Sequence, residues 1–424
     1  MKKIHGKMMK GITTRSLMML LALAGSNYCH AQQATPGKGA KQQAAAMQQA
    51  TIVVSNPTST PRTELISLSM SEVKAKLGNA TPKKGEAYIV KNKRGQQIGS
   101  QITHDGLLLI DASVRPHGSA TYYVSIGKPY QQKVYATGAL YKIRKDDIAW
   151  ENDRCAYRVY GPALQKTGER SFGTDIWVKN TPDTVVYERY IKDMIGNRKN
   201  DDETEILTSF HLDHGNGLDP YRVGATLGLG APSLMVGKNQ VLPYCYKDYR
   251  ILDNGPLRFT VELTYNPSTV GNMKNVVEHR IISLDKGSNF NKMTVWYDGL
   301  TTPTDFATGF PIHEEDTETK TFAKDYVSYA DPTDNVEVNN SQVYVGVLFP
   351  EGIDHTYYQL FEKKHDGATG HALGLKRGLK NQEKYSYYFG AAWSKYDVRS
   401  YAEWQIRIKD YLDALKNSLQ VEVK

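Results

Sequence analysis

Val276-Val277-Glu278-His279-Arg280-Ile281-Ile282-Ser283-Leu284 is a nine-residue run without glycine or proline, rich in β-branched side chains. Such side chains favour extended backbone, and in a strand successive residues point to opposite faces of the sheet. The same texture recurs on either side. Phe259-Thr260-Val261-Glu262-Leu263-Thr264-Tyr265 precedes it, and Met293-Thr294-Val295-Trp296-Tyr297 and Val343-Tyr344-Val345-Gly346-Val347-Leu348-Phe349 follow. Further upstream, Ala156-Tyr157-Arg158-Val159-Tyr160 and Thr174-Asp175-Ile176-Trp177-Val178 read the same way. Many of these runs alternate polar with apolar, the pattern of large antiparallel sheets with one wet face.

One long helix is expected, over 398–419, with Trp404, Ile406, Ile408, Leu412, Leu415 and Leu419 as its apolar stripe. A strand over 421–423 closes the chain. Before residue 134 the strands are shorter: 51–54, 62–68, 87–90, 101–103, 106–110 and 120–126. A short helix over 71–77 is expected, with Ser71 as its cap. The predicted fold is mainly β: a small N-terminal β-sandwich over 51–133, then a large antiparallel β-supersandwich over 134–424 with one C-terminal helix.

Residues 1–31 read as a signal peptide. Lys2, Lys3, Lys7, Lys10 and Arg15 precede an apolar run at 17–24, too short to span a bilayer, and Cys29 and Ala31 offer a small-residue cleavage site. Residues 32–50, rich in Gln, Ala, Gly and Lys, read as a disordered tether. Five of the eight net positive charges sit in the leader, so the mature chain carries +3. The basic balance is therefore an export signal and not a nucleic-acid footprint. The expected location is the periplasm or the exterior, with no membrane span after cleavage. Cys155 and Cys245 remain; two cysteines are too few for a disulfide scaffold, and whether they pair is open.

Four polar groupings stand out. In 146–154, Trp150 offers a face for a sugar ring, while Glu151, Asp153 and Arg154 offer hydrogen bonds to hydroxyls or a carboxylate; a capping turn with internal ion pairs explains them equally well. The loop His211-Leu212-Asp213-His214-Gly215-Asn216-Gly217-Leu218-Asp219-Pro220-Tyr221-Arg222-Val223-Gly224 gathers imidazoles, carboxylates, a phenol and a guanidinium among glycines. Its glycines look too costly in chain entropy to serve packing alone. His211 and His214 point to opposite faces of an extended chain, so they are not obvious co-ligands of one metal, and a structural role suits His211. His214 and Tyr221, the latter beside Arg222, are the candidates for acid and base work. In 310–316, His313 precedes three carboxylates, as a solvated acidic turn or a His/carboxylate set. Trp393 ends a strand, as core or as platform. No nucleophile elbow, phosphate loop, dinucleotide fingerprint or HExxH motif occurs.

The phrase from Trp150 to Ala163, Trp150-Glu151-Asn152-Asp153-Arg154-Cys155-Ala156-Tyr157-Arg158-Val159-Tyr160-Gly161-Pro162-Ala163, together with Asp175-Ile176-Trp177-Val178-Lys179, residues 211–230 and Asp253-Asn254-Gly255-Pro256-Leu257-Arg258, resembles the secreted domain-of-unknown-function family 4861. Cys155 and Pro220 depart from the family's usual apolar and aromatic residues there. The resemblance implies a galactose-mutarotase-like supersandwich. It also implies a carbohydrate-active role by β-elimination or dehydration of uronate-bearing oligosaccharides. On that reading Arg154, Arg158 or Arg222 would hold the carboxylate, and His214 and Tyr221 would share the proton transfers. Trp150, Glu151, Asp153, Tyr160, His211, Asp219 and His313 would line the substrate. The alternatives are an epimerase or mutarotase, a glycoside hydrolase using paired carboxylates, and a non-catalytic glycan-binding protein. The expected partner is an acidic oligosaccharide. No cofactor is expected, with a divalent cation left open, as is the oligomeric state.

Overall fold

The computed structural model describes residues 48–199, 208–242, 244–314, 318–332 and 341–424. The expected leader lies outside the described residues. So does the expected tether up to residue 47, while Ala50, its last residue, already opens a strand. Among the described residues no helix is long and apolar enough to cross a membrane.

The protein is mainly β, a small sandwich followed by a large antiparallel supersandwich. The opening stretch lies within the strand Met273–Asp285, near the middle of the largest sheet. This sheet runs Tyr246–Asn254, Arg258–Tyr265, Met273–Asp285, Phe290–Asp298, Tyr385–Trp393, Val343–Leu348, Tyr326–Asp331 and Lys320–Phe322, with Ser268–Val270 paired to the side. Every pairing in it is antiparallel. The alternation predicts the faces, with one exception. Val276, Ile282 and Leu284 turn into the core, but so do Glu278 and Arg280. Burying charge demands a partner: Arg280 Nε donates to Glu278 Oε1 at 2.6 Å, Tyr297 donates to Glu278 Oε2 at 2.8 Å, and the Tyr265 ring lies 4.0 Å from the guanidinium carbon.

Across the core lie two smaller sheets. One has four strands, ordered Thr174–Val178, Cys155–Val159, Asp147–Glu151 and Thr137–Tyr141. The other has five, ordered Asn239–Val241, Pro232–Val236, Thr304–Ile312, Ala368–Leu379 and His355–His365. A single apolar cluster joins all three sheets, with Trp150, Tyr157, Phe259, Ile282, Phe310, Val345 and Phe389 among its members.

The helix Tyr401–Lys416 covers the outer face of the largest sheet. Trp404, Ile408 and Leu412 recur at four-residue spacing and pack on Phe290, Tyr344 and Leu348. Fully burying side chains of this size is worth about 1.5–3 kcal/mol each. Ile406, assigned to this stripe from the sequence, points to solvent because an offset of two lands on the opposite side of a helix. Ser400 accepts the Glu403 N–H and caps the helix. The short helix near the N-terminus runs Met70–Lys76, and Ser69 precedes it. Ser71 is thus inside the helix instead of capping it; its hydroxyl meets that of Ser69 at 2.7 Å. Further helices, Pro162–Gln165 and Val186–Lys199, follow the strands of the four-stranded sheet, in stretches without a predicted element.

The small sandwich packs a separate cluster that includes Ile52, Leu68, Val73, Ile110 and Val124. Its four-stranded sheet is completed from the far end of the chain: Gln420–Val423 pairs antiparallel with Ala50–Ser55. Cys155 and Cys245 are both buried and free.

Candidate functional site

The glycine-rich loop is a seam. It runs along Thr174–Val178, the edge strand of the four-stranded sheet, and ties that edge to the five-stranded sheet. Val178 and Leu218 exchange backbone hydrogen bonds of 2.9 and 3.1 Å. Leu229 N donates to the Thr174 carbonyl at 2.8 Å, and Gly230 N donates to the Gly309 carbonyl at 2.8 Å. A Cβ on Gly217 would stand 1.9 Å from the Val178 oxygen, and one on Gly228 would stand 2.3 Å from the Thr174 oxygen. These glycines do serve packing, contrary to the expectation from their entropy cost. Backbone-on-backbone contact leaves no room for a side chain.

Beneath the seam, Arg158 is buried among three carboxylates from three elements. Its Nε donates to Asp175 at 2.6 Å and its Nη2 to Asp219 at 2.9 Å, while Asp147 lies 3.6 Å from Nη1. The ring of Tyr160 lies 4.8 Å from the guanidinium carbon. Burial raises the Tyr160 phenol well above its ordinary range, and Asp175 pushes it further.

Tyr221 sits between this cluster and a second one. Its ring meets the His313 imidazole edge-on at 5.9 Å. His313 Nδ1 is 2.9 Å from Asp331, and Nε2 is 3.1 Å from the Arg222 carbonyl oxygen. Burial alone would lower this imidazole's pKa, but the Asp331 charge and hydrogen bond outweigh it and raise the pKa above its usual value. Facing a carbonyl and a carboxylate, both nitrogens are placed as donors, the arrangement of an imidazolium. The Tyr221 phenol is raised well above 10 by burial, then by Asp331 and Asp175. Its hydroxyl is buried and has no hydrogen-bond partner among the described residues. Just above, the hairpin turn at Asp366–Gly367 docks on the seam: Asp366 accepts the Ala225 N–H at 2.9 Å and also contacts His365 at 3.0 Å. The exposed Arg222 side chain passes beside Gly367.

Arg158, Tyr160, Asp219, Tyr221, Arg222 and His313 therefore come together. The others do not join them. Trp150 is fully buried, stacks with Tyr157 and Phe259, and donates to Asn291 at 2.7 Å, so no sugar reaches its face. Glu151 is buried against Lys179 at 2.7 Å and accepts the N–H groups of Val185 and Val186 at the start of the helix Val186–Lys199. Asp153 accepts the Gly287 N–H, and Arg154 pairs with Asp397. This turn is the internally paired one, not a sugar cradle. His211 Nδ1 lies 2.9 Å from the Asp219 carbonyl, at the margin of the cluster, and His214 Nε2 lies 2.9 Å from the Ser209 carbonyl. Trp393 is buried in the core. Of the acids after His313, Glu315 and Asp316 lie outside the described residues, and the partner His313 takes is Asp331. No group of three or more His, Cys, Asp or Glu among the described residues is arranged to hold a metal ion.

Asp147, Asp175, Asp331 and Asp366 were missed by the sequence reading. Asp175 and Asp331 each sit in a strand, and only the folded pairing reveals their partners. His371 was missed as well. It is buried, with Nε2 accepting the Leu227 N–H at 3.3 Å, and burial takes its pKa down to about 3.

These features define a mainly-β supersandwich protein with a charged cluster at the seam between two sheets. Residues 54–421 match the family model described as Domain of unknown function (DUF4861), and the chain belongs to that family. A relative, "Uncharacterized protein P7" of Formosa agariphila, is 26% identical over 397 residues, covering 88% of this chain and 93% of the relative. Among solved structures, a glycosyl hydrolase family 38 protein from Enterococcus faecalis is 9% identical with a TM-score of 0.48, the match covering 89% of this chain and 47% of that one. An α-mannosidase from Enterococcus faecalis V583 is 8% identical with a TM-score of 0.44, covering 89% and 46%. The chain spans about half the length of these two structures.

Proposed function

We propose that this protein is an exported carbohydrate-active enzyme that acts by elimination on a uronate-bearing oligosaccharide, as a lyase or a dehydratase. One observation carries the reading: the Tyr221 hydroxyl is buried without a partner, between the Arg158 cluster and the His313–Asp331 pair. A buried polar group left unpaired costs about 1–3 kcal/mol. A substrate oxygen that reached it would relieve that cost.

The chemistry divides among named groups. Elimination needs a cation at the uronate carboxylate, a base for the proton α to it, and an acid for the departing oxygen. Burial and two nearby carboxylates disfavour the phenolate, so Tyr221 enters the reaction protonated and can give its proton to the departing oxygen, the acid role. Arg222, at the surface beside it, takes the carboxylate. His313 has both ring nitrogens engaged, by Asp331 and by the Arg222 carbonyl, so it is not the base. That role belongs to the exposed His365, next to Asp366 on the hairpin turn that docks on the seam. As the α proton passes to the imidazole, the C–H pair becomes the new double bond and the C–O pair leaves with the oxygen, which Tyr221 protonates.

The test is incubation with a panel of saturated and Δ4,5-unsaturated uronate oligosaccharides. Chain cleavage by elimination adds ultraviolet absorbance. Dehydration of an already unsaturated end removes it, with loss of one water by mass spectrometry. Tyr221→Phe should lower turnover by about 10²–10⁴-fold, and His365→Ala tests the base, with His214→Ala, outside the cluster, as its control. Hydrolysis without either absorbance change would refute elimination. Binding without turnover is the second reading, favoured by the internal pairing of Glu151, Arg154 and Arg158.

A further inference from the structure

The small N-terminal sandwich carries a cleft of its own, about 270 Å³ in volume, lined by its two edge strands Ala87–Asn92 and Ser100–Ile102 and by the segment 129–132. None of its fourteen lining residues is charged. Eight are aliphatic or proline, and the rest are two tyrosines, three glutamines and a serine. Tyr130 is 43% exposed, and Tyr88 is half-buried with its hydroxyl fixed on the Ala80 carbonyl at 2.8 Å.

The amides are held in place by backbone. Gln97 donates to the Lys128 carbonyl at 3.0 Å and accepts the Tyr130 N–H at 3.1 Å. Gln132 accepts the Ser100 N–H at 2.9 Å and donates to the Ser100 carbonyl at 3.0 Å. A side-chain amide has two N–H donors, and each of these bonds uses one. The cleft therefore presents oriented polar groups beside an aromatic ring on a rigid sheet edge.

The lining decides the class of ligand. An ion would enter a site with no countercharge among its walls, which is costly. A wholly apolar ligand would cover the amides without satisfying them. A neutral pyranose answers both, with an apolar ring face for tyrosine and hydroxyls for the amides. At about 270 Å³ the cleft is smaller than the roughly 300–1,000 Å³ of most ligand pockets, which suits a single sugar ring. We propose that the N-terminal sandwich binds a neutral stretch of oligosaccharide, as an anchoring site separate from the Tyr221 cluster.

The experiment is affinity gel electrophoresis of the full mature chain in gels containing galactan, glucomannan, xylan or polygalacturonate. At least one neutral polymer should retard migration. Tyr130→Ala should weaken that retention about tenfold, and Ile102→Lys, which puts a charge at an exposed position of the cleft wall, should abolish it. Both variants alter exposed side chains, and circular dichroism checks that they fold. Turnover of soluble uronate oligosaccharides should not change, so failure here is distinguishable from failure of the elimination reading. Retention by polygalacturonate alone, no retention by any neutral polymer, or retention unchanged in both variants would overturn the proposal.

Discussion

Glu151→Gln tests the placement of the Trp150–Arg154 turn most sharply. In the structure Lys179 Nζ is fully buried, 2.7 Å from Glu151 Oε2 and 2.6 Å from the Asn152 carbonyl. The same carboxylate receives the Val185 N–H at 2.9 Å and the Val186 N–H at 3.0 Å, where the helix Val186–Lys199 begins. The glutamine is nearly the same shape but uncharged. It leaves an ammonium in the interior without its counterion and weakens the anion at a helix N-terminus. Breaking a buried pair from one side costs about 3–5 kcal/mol, and a helix-terminal charge adds about 0.3–1 kcal/mol. Urea denaturation followed by tryptophan fluorescence measures it, with Lys179→Met and Glu151→Gln/Lys179→Met completing the cycle. The double variant should be less destabilised than the sum of the single ones, because neither charge is then left alone. A cost below about 1 kcal/mol for Glu151→Gln, or intact stability with lost oligosaccharide binding, would return Glu151 to the substrate and refute the assignment.

Tyr221→Phe should leave stability unchanged or raise it by about 1 kcal/mol, since it removes an unpaired buried hydroxyl; a large loss in urea midpoint would mean that the hydroxyl has a structural partner. Gly217→Ala should destabilise strongly, because its Cβ would stand 1.9 Å from the Val178 oxygen, whereas Gly215→Ala, with open space around it but φ at +92°, should cost about 1–2 kcal/mol of backbone strain; equal thermal shifts in the two would sink the seam argument. Two histidines should bend the pH profile of stability in opposite directions. The His313 contribution is fully present below its unfolded value of about 6.5 and is lost as pH rises through its higher folded pKa, so His313→Asn should flatten the alkaline arm. The His371 contribution is present above about 6.5 and is lost as pH falls toward about 3, so His371→Gln should flatten the acid arm; profiles parallel to wild type would contradict both.

The strands were legible because their signal is local. Alternation around Val276–Leu284 and β-branched runs such as 343–349 depend only on neighbours in sequence. Arg280 and Glu278 fooled that reading, since polarity normally marks the wet face and here the charges satisfy each other inside. Ile406 failed on spacing, and Ser71 by two positions at a helix boundary. The site was legible in one half. Tyr221, Arg222 and His313 carry chemistry that stands out in any context, but Asp331, which pairs with His313, and Asp175, which pairs with Arg158, sit in other strands 18 and 17 residues away. Trp150 misled for the opposite reason: the indole that would stack on a sugar stacks on Phe259 equally well, and only burial separates the two.

Gln420–Val423 lies alongside Ala50–Ser55, and Thr51 and Lys424 exchange backbone hydrogen bonds of 3.1 and 2.8 Å. A ribosome releases the first of these strands hundreds of residues before the second. The sheet that begins with Ala50–Ser55 thus keeps an open flank until Gln420–Val423 has been made, and unpaired strand flanks invite pairing with other chains. A stop codon placed before Gln420 would act first on the N-terminal sandwich, hundreds of residues in sequence from the change itself.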